Sequence, residues 1–223
     1  MSSTSRTVET YETLKQSILD GSLRPRTRLR IEQLSEKLTV SAGAIREALS
    51  RLTSDGMVVA EPQRGFLVAP ISKRDLRDLT SVRIDIEVKC LRRSIELGGV
   101  DWETGIVAAH HRLIKTPEHL SDGKTHPDWP TVHADFHDAL VAAGDSAWWL
   151  RLRAQLFLQA ERYRRLTVPH FRMGRDVAGE HRLLAEAALA RDADAAARAI
   201  HDHLQLTADL LLASDAPFDD EGA

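Results

Sequence analysis

Residues 41–68 read SAGAIREALSRLTSDGMVVAEPQRGFLV. Ser41 is a good helix N-cap, and Ile45, Ala48, Leu49 and Leu52 recur at the spacing of one helix face. The stretch therefore predicts a helix from Ser41 to about Ser54, broken by Asp55-Gly56. The period then changes. Met57–Ala60 and Gly65–Ala69 are two β-rich runs around Glu61-Pro62-Gln63-Arg64, which reads as a hairpin turn. Upstream, Tyr11, Leu14 and Ile18 space a short helix over about 8–18. Gly21 and Pro25 end it, and Arg24, Arg26, Arg28 and Arg30 cluster nearby. Leu29 to Leu38 reads as a second helix with Ile31, Leu34 and Leu38 inward.

Three short helices followed by a hairpin form the pattern of a winged helix-turn-helix. Its third helix fits the major groove of duplex DNA, while helix N-termini and hydroxyls accept phosphates. Ser41 stands at the start of that helix. Arg46 lies on the face away from Ile45 and Leu49, within reach of a phosphate or a guanine edge. Arg51 suits a phosphate near the helix end. At the hairpin tip Arg64 can enter the adjacent minor groove, and Gly65 permits close backbone approach.

Everything after Arg74 reads as helix, with segments over 73–80, 80–98, 101–115, 127–144, 146–167, 173–191 and 193–213. The expected organisation is a DNA-binding domain over 8–70, a linker over 71–74, an antiparallel all-helical bundle of six or seven helices over 75–214, and a flexible acidic tail over 215–223. The fold class is mostly α. Of 223 residues, 28% are charged and 43% hydrophobic, a globular balance that excludes a disordered chain. Net charge is −3, yet the chain is uneven: up to Pro70 there are ten Lys/Arg against eight Asp/Glu, and beyond it twenty against twenty-five. The front thus meets phosphates more willingly than the back. No run approaches a membrane span or a signal-peptide core, so no membrane partner is expected. One cysteine, Cys90, makes no intrachain disulfide, consistent with a cytoplasmic location.

Ten histidines are many for this length. His133 and His137, four residues apart, share a helix face with Leu140. His181 falls on the stripe of Val177, Leu184 and Ala188, and His203 on that of Ala199, Ile200 and Leu210. These four imidazoles are either the ligands of one cation or core histidines satisfied by carbonyls and carboxylates; spacing alone leaves both open. Neutral imidazole suits Zn, Ni, Cu or Fe. Arg83 lies on the track of Leu79, Ile86 and Cys90. A buried arginine needs a partner, which is either the carboxylate of a bound acid or Glu87 one turn on. His110, His111, His119, His126, His170 and His201 are expected at the surface, and Trp148-Trp149 between helices. Glu180 is expected to point off the histidine face.

Two resemblances sharpen this. Ser41, Ile45-Arg46-Glu47-Ala48-Leu49, Arg51-Leu52, Asp55-Gly56 and Pro62-Gln63-Arg64-Gly65, with Leu23-Arg24-Pro25 and Arg28-Leu29 upstream, resemble the GntR family of bacterial transcription regulators. The position after the Ser, commonly a base-reading Arg in that family, is Ala42 here. Readout then shifts to Arg46, or to Arg30 before the second helix. Residues 75–213 look like the all-helical FCD effector domain of the family's FadR branch. The likeness rests on Val82-Arg83, Asp135-Phe136-His137-Asp138-Ala139-Leu140, Glu180-His181-Arg182-Leu183-Leu184-Ala185, Ala190-Arg191-Asp192 and His203-Leu204.

That resemblance implies a divalent metal held by His137, His181 and His203, with His133 where the family usually has Asp. The exchange leaves the site one charge more positive and favours Zn or Ni. It implies either an effector anchor or, with four imidazoles, a closed structural shell. The implied protein is a homodimeric regulator, a repressor by preference. It would bind a near-palindromic operator in double-stranded DNA and sense a small anionic metabolite, a carboxylate or sugar acid, with Arg83 as an effector contact. It would not be an enzyme. The alternative is a helical metal-dependent hydrolase with an accessory DNA-binding domain, although no H-E-x-x-H, nucleophile elbow or phosphate loop is present.

Overall fold

A computed structural model describes residues 3–167, 175–215 and 218–219. Along the chain come α1 (Ser3–Leu19), β1 (Arg28–Leu29), α2 (Ile31–Leu38), α3 (Ala42–Ser54), β2 (Val58–Glu61) and β3 (Gly65–Val68). Six helices follow: α4 (Lys73–Leu97), α5 (Val100–Lys115), α6 (Trp129–Val141), α7 (Ala147–Thr167), α8 (Val177–Leu189) and α9 (Ala193–Ala213). They divide into two compact units. One comprises Met1–Arg77, Leu158–His170 and Ser214–Ala223, the other Asp78–Phe157 and Phe171–Ala213.

The first unit is the winged helix-turn-helix. Its core gathers Tyr11, Leu14 and Ile18 of α1, Leu34 of α2, Ile45, Ala48, Leu49 and Leu52 of α3, and Val58 and Val68 of the sheet. The 3.6-residue period of α3 and the two-residue period of β3 aim these side chains at one centre. Thr39 adopts a left-handed conformation (φ 56°) to end α2. The helices thereby turn within three residues, and Ser41 caps α3 by accepting from the Ala44 N–H at 3.2 Å.

The sheet has three strands, not two. β1 pairs antiparallel with β3, Arg28 opposite Leu67 and Leu29 opposite Phe66, and β3 lies between β1 and β2. Arg28-Leu29 therefore belongs to a strand rather than to the start of α2. The reason is the outer edge of β3, whose backbone groups need partners: Val68 N–H donates to Thr27 O at 2.9 Å, and Arg26 N–H to Val68 O at 3.0 Å.

Further along the chain, Arg162 of α7 donates to the carbonyls of Ala69 and Pro70. Tyr163 Oη accepts from the Ser72 N–H at 3.2 Å and donates to Asp75 at 2.5 Å. Residues 218–219 of the expected flexible tail are anchored. Asp219 accepts from the Ile71 N–H at 2.9 Å, donates to Ile71 O at 2.8 Å and pairs with Arg26 at 2.8 Å.

The second unit is built of helices, with a loop between α5 and α6 that an isolated His119–Thr125 bridge closes. α4 is continuous rather than split at 80, because no Gly or Pro interrupts 73–97. Its core contains Ile84, Leu91 and Ile95 of α4, Trp102 and Ile106 of α5, Phe136 and Leu140 of α6, Leu184 and Ala188 of α8, and Ile200 and Leu204 of α9. Among the described residues, no helix is long and apolar enough to cross a membrane.

Candidate functional site

The six residues expected from the sequence to meet DNA, Arg30, Ser41, Arg46, Arg51, Arg64 and Gly65, are all exposed. Ile45, Ala48, Leu49 and Leu52 are fully buried, so the opposite face of α3, with Arg46, is exposed. Arg30 is exposed at the N-cap position of α2 and makes no capping bond there. Arg64 and Gly65 form the exposed wing tip. Gly65 takes φ +86°, which L side chains rarely adopt, and nothing lies within 4 Å of where a Cβ would stand. The tip is braced by Arg28, which donates to Arg64 O at 3.1 Å and pairs with Glu61 at 3.2 Å. The Arg51 guanidinium is placed 4.3 Å from the centre of the Tyr11 ring, whose hydroxyl donates to Asp55 at 2.7 Å. It thus has a packing partner of its own besides any phosphate.

In the other unit, His133 and His137 of α6, His181 of α8 and His203 of α9 converge. All four are buried, and one ring nitrogen from each lies within 4.8 Å of the others. Ring centres are 4.6 Å apart for His133–His137, 4.8 Å for His181–His203 and 5.2 Å for His137–His203. The spread is somewhat looser than the roughly 3.3 Å between nitrogens around one tetrahedral ion.

Both ring nitrogens of His137 and both of His181 are buried with no hydrogen-bond partner among the described residues. Such orphaned polar atoms are costly and rare in a protein interior. Burial, then the neighbouring imidazoles, hold His137 well below the ordinary histidine value; burial and His203 do the same for His181. Neutral rings with free lone pairs are what a borderline metal requires. The donor set therefore fits a cation, and suits a core-histidine role poorly.

Two layers surround the cluster. On one side His203 Nδ1 lies 2.7 Å from Glu180 Oε2, and Arg175 grips Glu180 with two bonds of 2.7 and 2.6 Å. Burial works against the Glu180 charge, but the bonds from Arg175 and His203 bring its pKa down to about 2. On the other side, Phe157 stands with its ring centre 6.0 Å from that of His137 and 6.4 Å from that of His133. The guanidiniums of Arg83 and Arg153 lie 4.9 and 5.5 Å from the centre of the same Phe157 ring. Arg83 does pair with Glu87, at 3.5 Å, and the same buried carboxylate takes Arg153 at 2.8 Å.

Sequence reasoning missed Arg153 and Glu180. Arg153 had a signal, since it shares an inward track with Leu150 and Phe157. Glu180 does leave the His181 face, but the residue it meets is on α9, which single-helix periodicity cannot foresee. Three placements differ from expectation. Trp148 is 72% exposed, with Arg151 over its ring, because only Trp149 of the pair faces the core. His110 is half-buried against Phe136, and burial lowers its pKa. His126 is half-buried because its Nδ1 accepts from the Asp128 N–H in the turn before α6. His170 lies outside the described residues.

Comparison with known proteins agrees with this division of labour. Residues 6–68 match the family described as bacterial regulatory proteins, gntR family, and residues 78–206 match the FCD domain. The chain is 41% identical over 198 residues, 88% of its length and 81% of the relative's, to the uncharacterized HTH-type transcriptional regulator BphR of Paraburkholderia xenovorans (strain LB400). It is 34% identical over 198 residues, 87% of its length and 90% of the relative's, to the HTH-type transcriptional repressor GlaR of Escherichia coli (strain K12). Among solved structures it resembles E. coli McbR/YncC with a TM-score of 0.75 at 20% identity, over 95% of this chain and 98% of that one. It also resembles a GntR regulator from Rhodococcus sp. RHA1, with a TM-score of 0.71 at 22% identity, over 93% and 98%. The families and relatives are transcriptional regulators, which removes the hydrolase alternative: this is not an enzyme. The chain is a DNA-binding transcriptional regulator that belongs to the GntR family, with an FCD effector domain following its winged helix-turn-helix.

Proposed function

We propose that the protein is a homodimeric, metal-dependent repressor that is released from a near-palindromic operator by a small carboxylate or sugar acid. The observation that carries this reading is the set of four buried imidazoles, two of them with no protein partner for either nitrogen. His133, His137, His181 and His203 would hold the ion, and four neutral nitrogen donors favour Zn or Ni over harder cations. Such an ion supplies positive charge to attract and orient a carboxylate.

Arg83 and Arg153 add to that attraction. Both share the buried Glu87, and Arg153 also pairs with Asp138, whose side chain is 66% exposed. Arg153 Nη2 is buried with no hydrogen-bond partner among the described residues, a donor that an effector carboxylate would take. On the DNA side, Arg46 of α3, or Arg30 before α2, would read bases, Arg64 and Gly65 of the wing would approach the minor groove, and Ser41 and Arg51 would meet phosphates. Release follows only if the acid prefers the arrangement of the two heads that does not fit the operator. Repression is favoured because a full-length relative, GlaR, is named a repressor.

The test is protein purified without nickel resin. Metal content is measured directly, and a thermal-shift series runs small carboxylates and sugar acids with Zn or Ni present, since a true ligand stabilises by mass action. The stabilising acid must then weaken operator binding. Protein that carries no metal and takes up none overturns the metal part of the reading. Metal-loaded protein whose operator affinity no acid changes assigns the ion a purely structural role.

A further inference from the structure

The histidine centre has an outer layer that its four imidazoles do not by themselves reveal. His203 Nδ1 is 2.7 Å from Glu180 Oε2. A carboxylate and a bare imidazole nitrogen would repel at that distance, so Nδ1 carries the hydrogen and donates. The Arg175 Nη2 that also approaches Nδ1 is farther, at 3.3 Å, and has better acceptors in Glu180 at 2.6 Å and His203 O at 3.0 Å. Arg175 thus locks the carboxylate and the backbone of His203 together. With Nδ1 committed, only Nε2 retains a lone pair. Among the described residues, no comparable partner engages His137 or His181.

We propose that Glu180, itself held by Arg175, is a positioning residue of the metal site: it fixes His203 as the Nδ1–H tautomer and turns Nε2 toward the ion. This rests on the reading of the four histidines as metal ligands and adds to it which nitrogen of His203 serves and what holds it. Partners of this kind fix ring orientation and raise ligand basicity, and their loss typically weakens metal binding by about 10–100-fold.

The test uses the full chain. In metal-free protein carrying 15N-histidine, long-range 1H–15N spectra report the tautomer of each ring. Wild type should show His203 as Nδ1–H. Glu180→Ala should shift it toward the Nε2–H form that free imidazole side chains favour. Glu180→Gln, which keeps an acceptor oxygen of the same reach, should retain the wild-type tautomer. Zinc titrated against a chromogenic chelator should then bind Glu180→Ala about 10–100-fold more weakly than wild type, with Glu180→Gln between them. An unchanged His203 tautomer in Glu180→Ala, or wild-type zinc affinity in that variant, overturns the role while leaving the site reading intact. A wild type that takes up no zinc overturns the site reading and this role with it. Thermal melts of both variants confirm that they fold, and Glu180→Gln keeps the comparison available should Glu180→Ala not.

Discussion

Arg153 Nε lies 2.8 Å from Glu87 Oε2, in an ion pair whose side chains are only 4% and 2% exposed. Burial works against the Arg153 charge, yet Glu87 and Asp138 hold its pKa above the ordinary arginine value. Removing one partner of such a pair leaves an uncompensated charge in the interior, which costs about 3–5 kcal/mol. Glu87→Gln removes a charge partner from two guanidiniums at once, because Arg83 faces the same carboxylate, while Arg153 keeps Asp138. The expected outcome is a loss of that order in chemical denaturation. Small carboxylates should raise the Tm of this variant more than that of wild type, since they supply the missing counter-charge. Equal stabilisation of both proteins would show that the guanidiniums do not meet the acid.

Arg46 is exposed on the face of α3 opposite its buried stripe. Arg46→Ala should weaken operator binding without altering stability, since no core contact is lost. If the side chain reads a guanine edge, the loss is about 1–3 kcal/mol and specificity relaxes at one base pair. If it meets a phosphate, the loss is uniform across sequences and the salt slope falls by about one. Binding titrations at several salt concentrations separate the two, and unchanged affinity and slope contradict both.

The histidine centre makes the metal-free protein acid-sensitive. Burial lowers His137, His181 and His203 in the folded state, while the unfolded chain protonates them near the ordinary value of 6.5. Below that pH the unfolded state binds more protons, so stability is fully present above about 6.5 and falls as the pH drops toward the lowered folded values. The slope is at most about 1.4 kcal/mol per pH unit for each ring involved. Glu180, also lowered, adds a separate loss between 4.5 and about 2. Denaturant midpoints of chelator-treated protein from pH 8 to 5 check this. A flat profile would mean that these rings are hydrated rather than buried.

What was legible in the sequence follows the range of the interactions. The inward residues of α3 and the four inward histidines are set by helical period, and local spacing reports them correctly. Arg28-Leu29 continues a helical apolar pattern with Ile31 and Leu34, yet it pairs with β3 because that strand's edge has unmet backbone groups nearly forty residues away. Glu180 and Arg153 likewise acquire their roles from neighbours on other helices. Phe218 and Asp219 read as an acidic tail, and their placement follows from Tyr163, Lys73, Ile71 and Arg26, far away in sequence.

His133 offers a last test, because it stands where the resembling family usually has Asp. Its ring stacks on Trp129 at 5.6 Å and meets His137 and His181 at 4.6 and 5.1 Å. His133→Asp exchanges a neutral nitrogen for a charged oxygen donor. Without an ion, that carboxylate is buried among orphaned imidazoles and gives up the Trp129 stack, so the metal-free variant should melt lower than wild type. With an ion bound, the hard donor should raise the affinity for Mn relative to Zn or Ni. The loaded site is also one charge less positive, so an anionic effector should bind it more weakly. Competition between Mn and Zn in both proteins reads the first effect directly. An unchanged Mn-to-Zn ratio would remove His133 from the ligand set and leave three imidazoles to hold the ion, with one coordination position open for the effector.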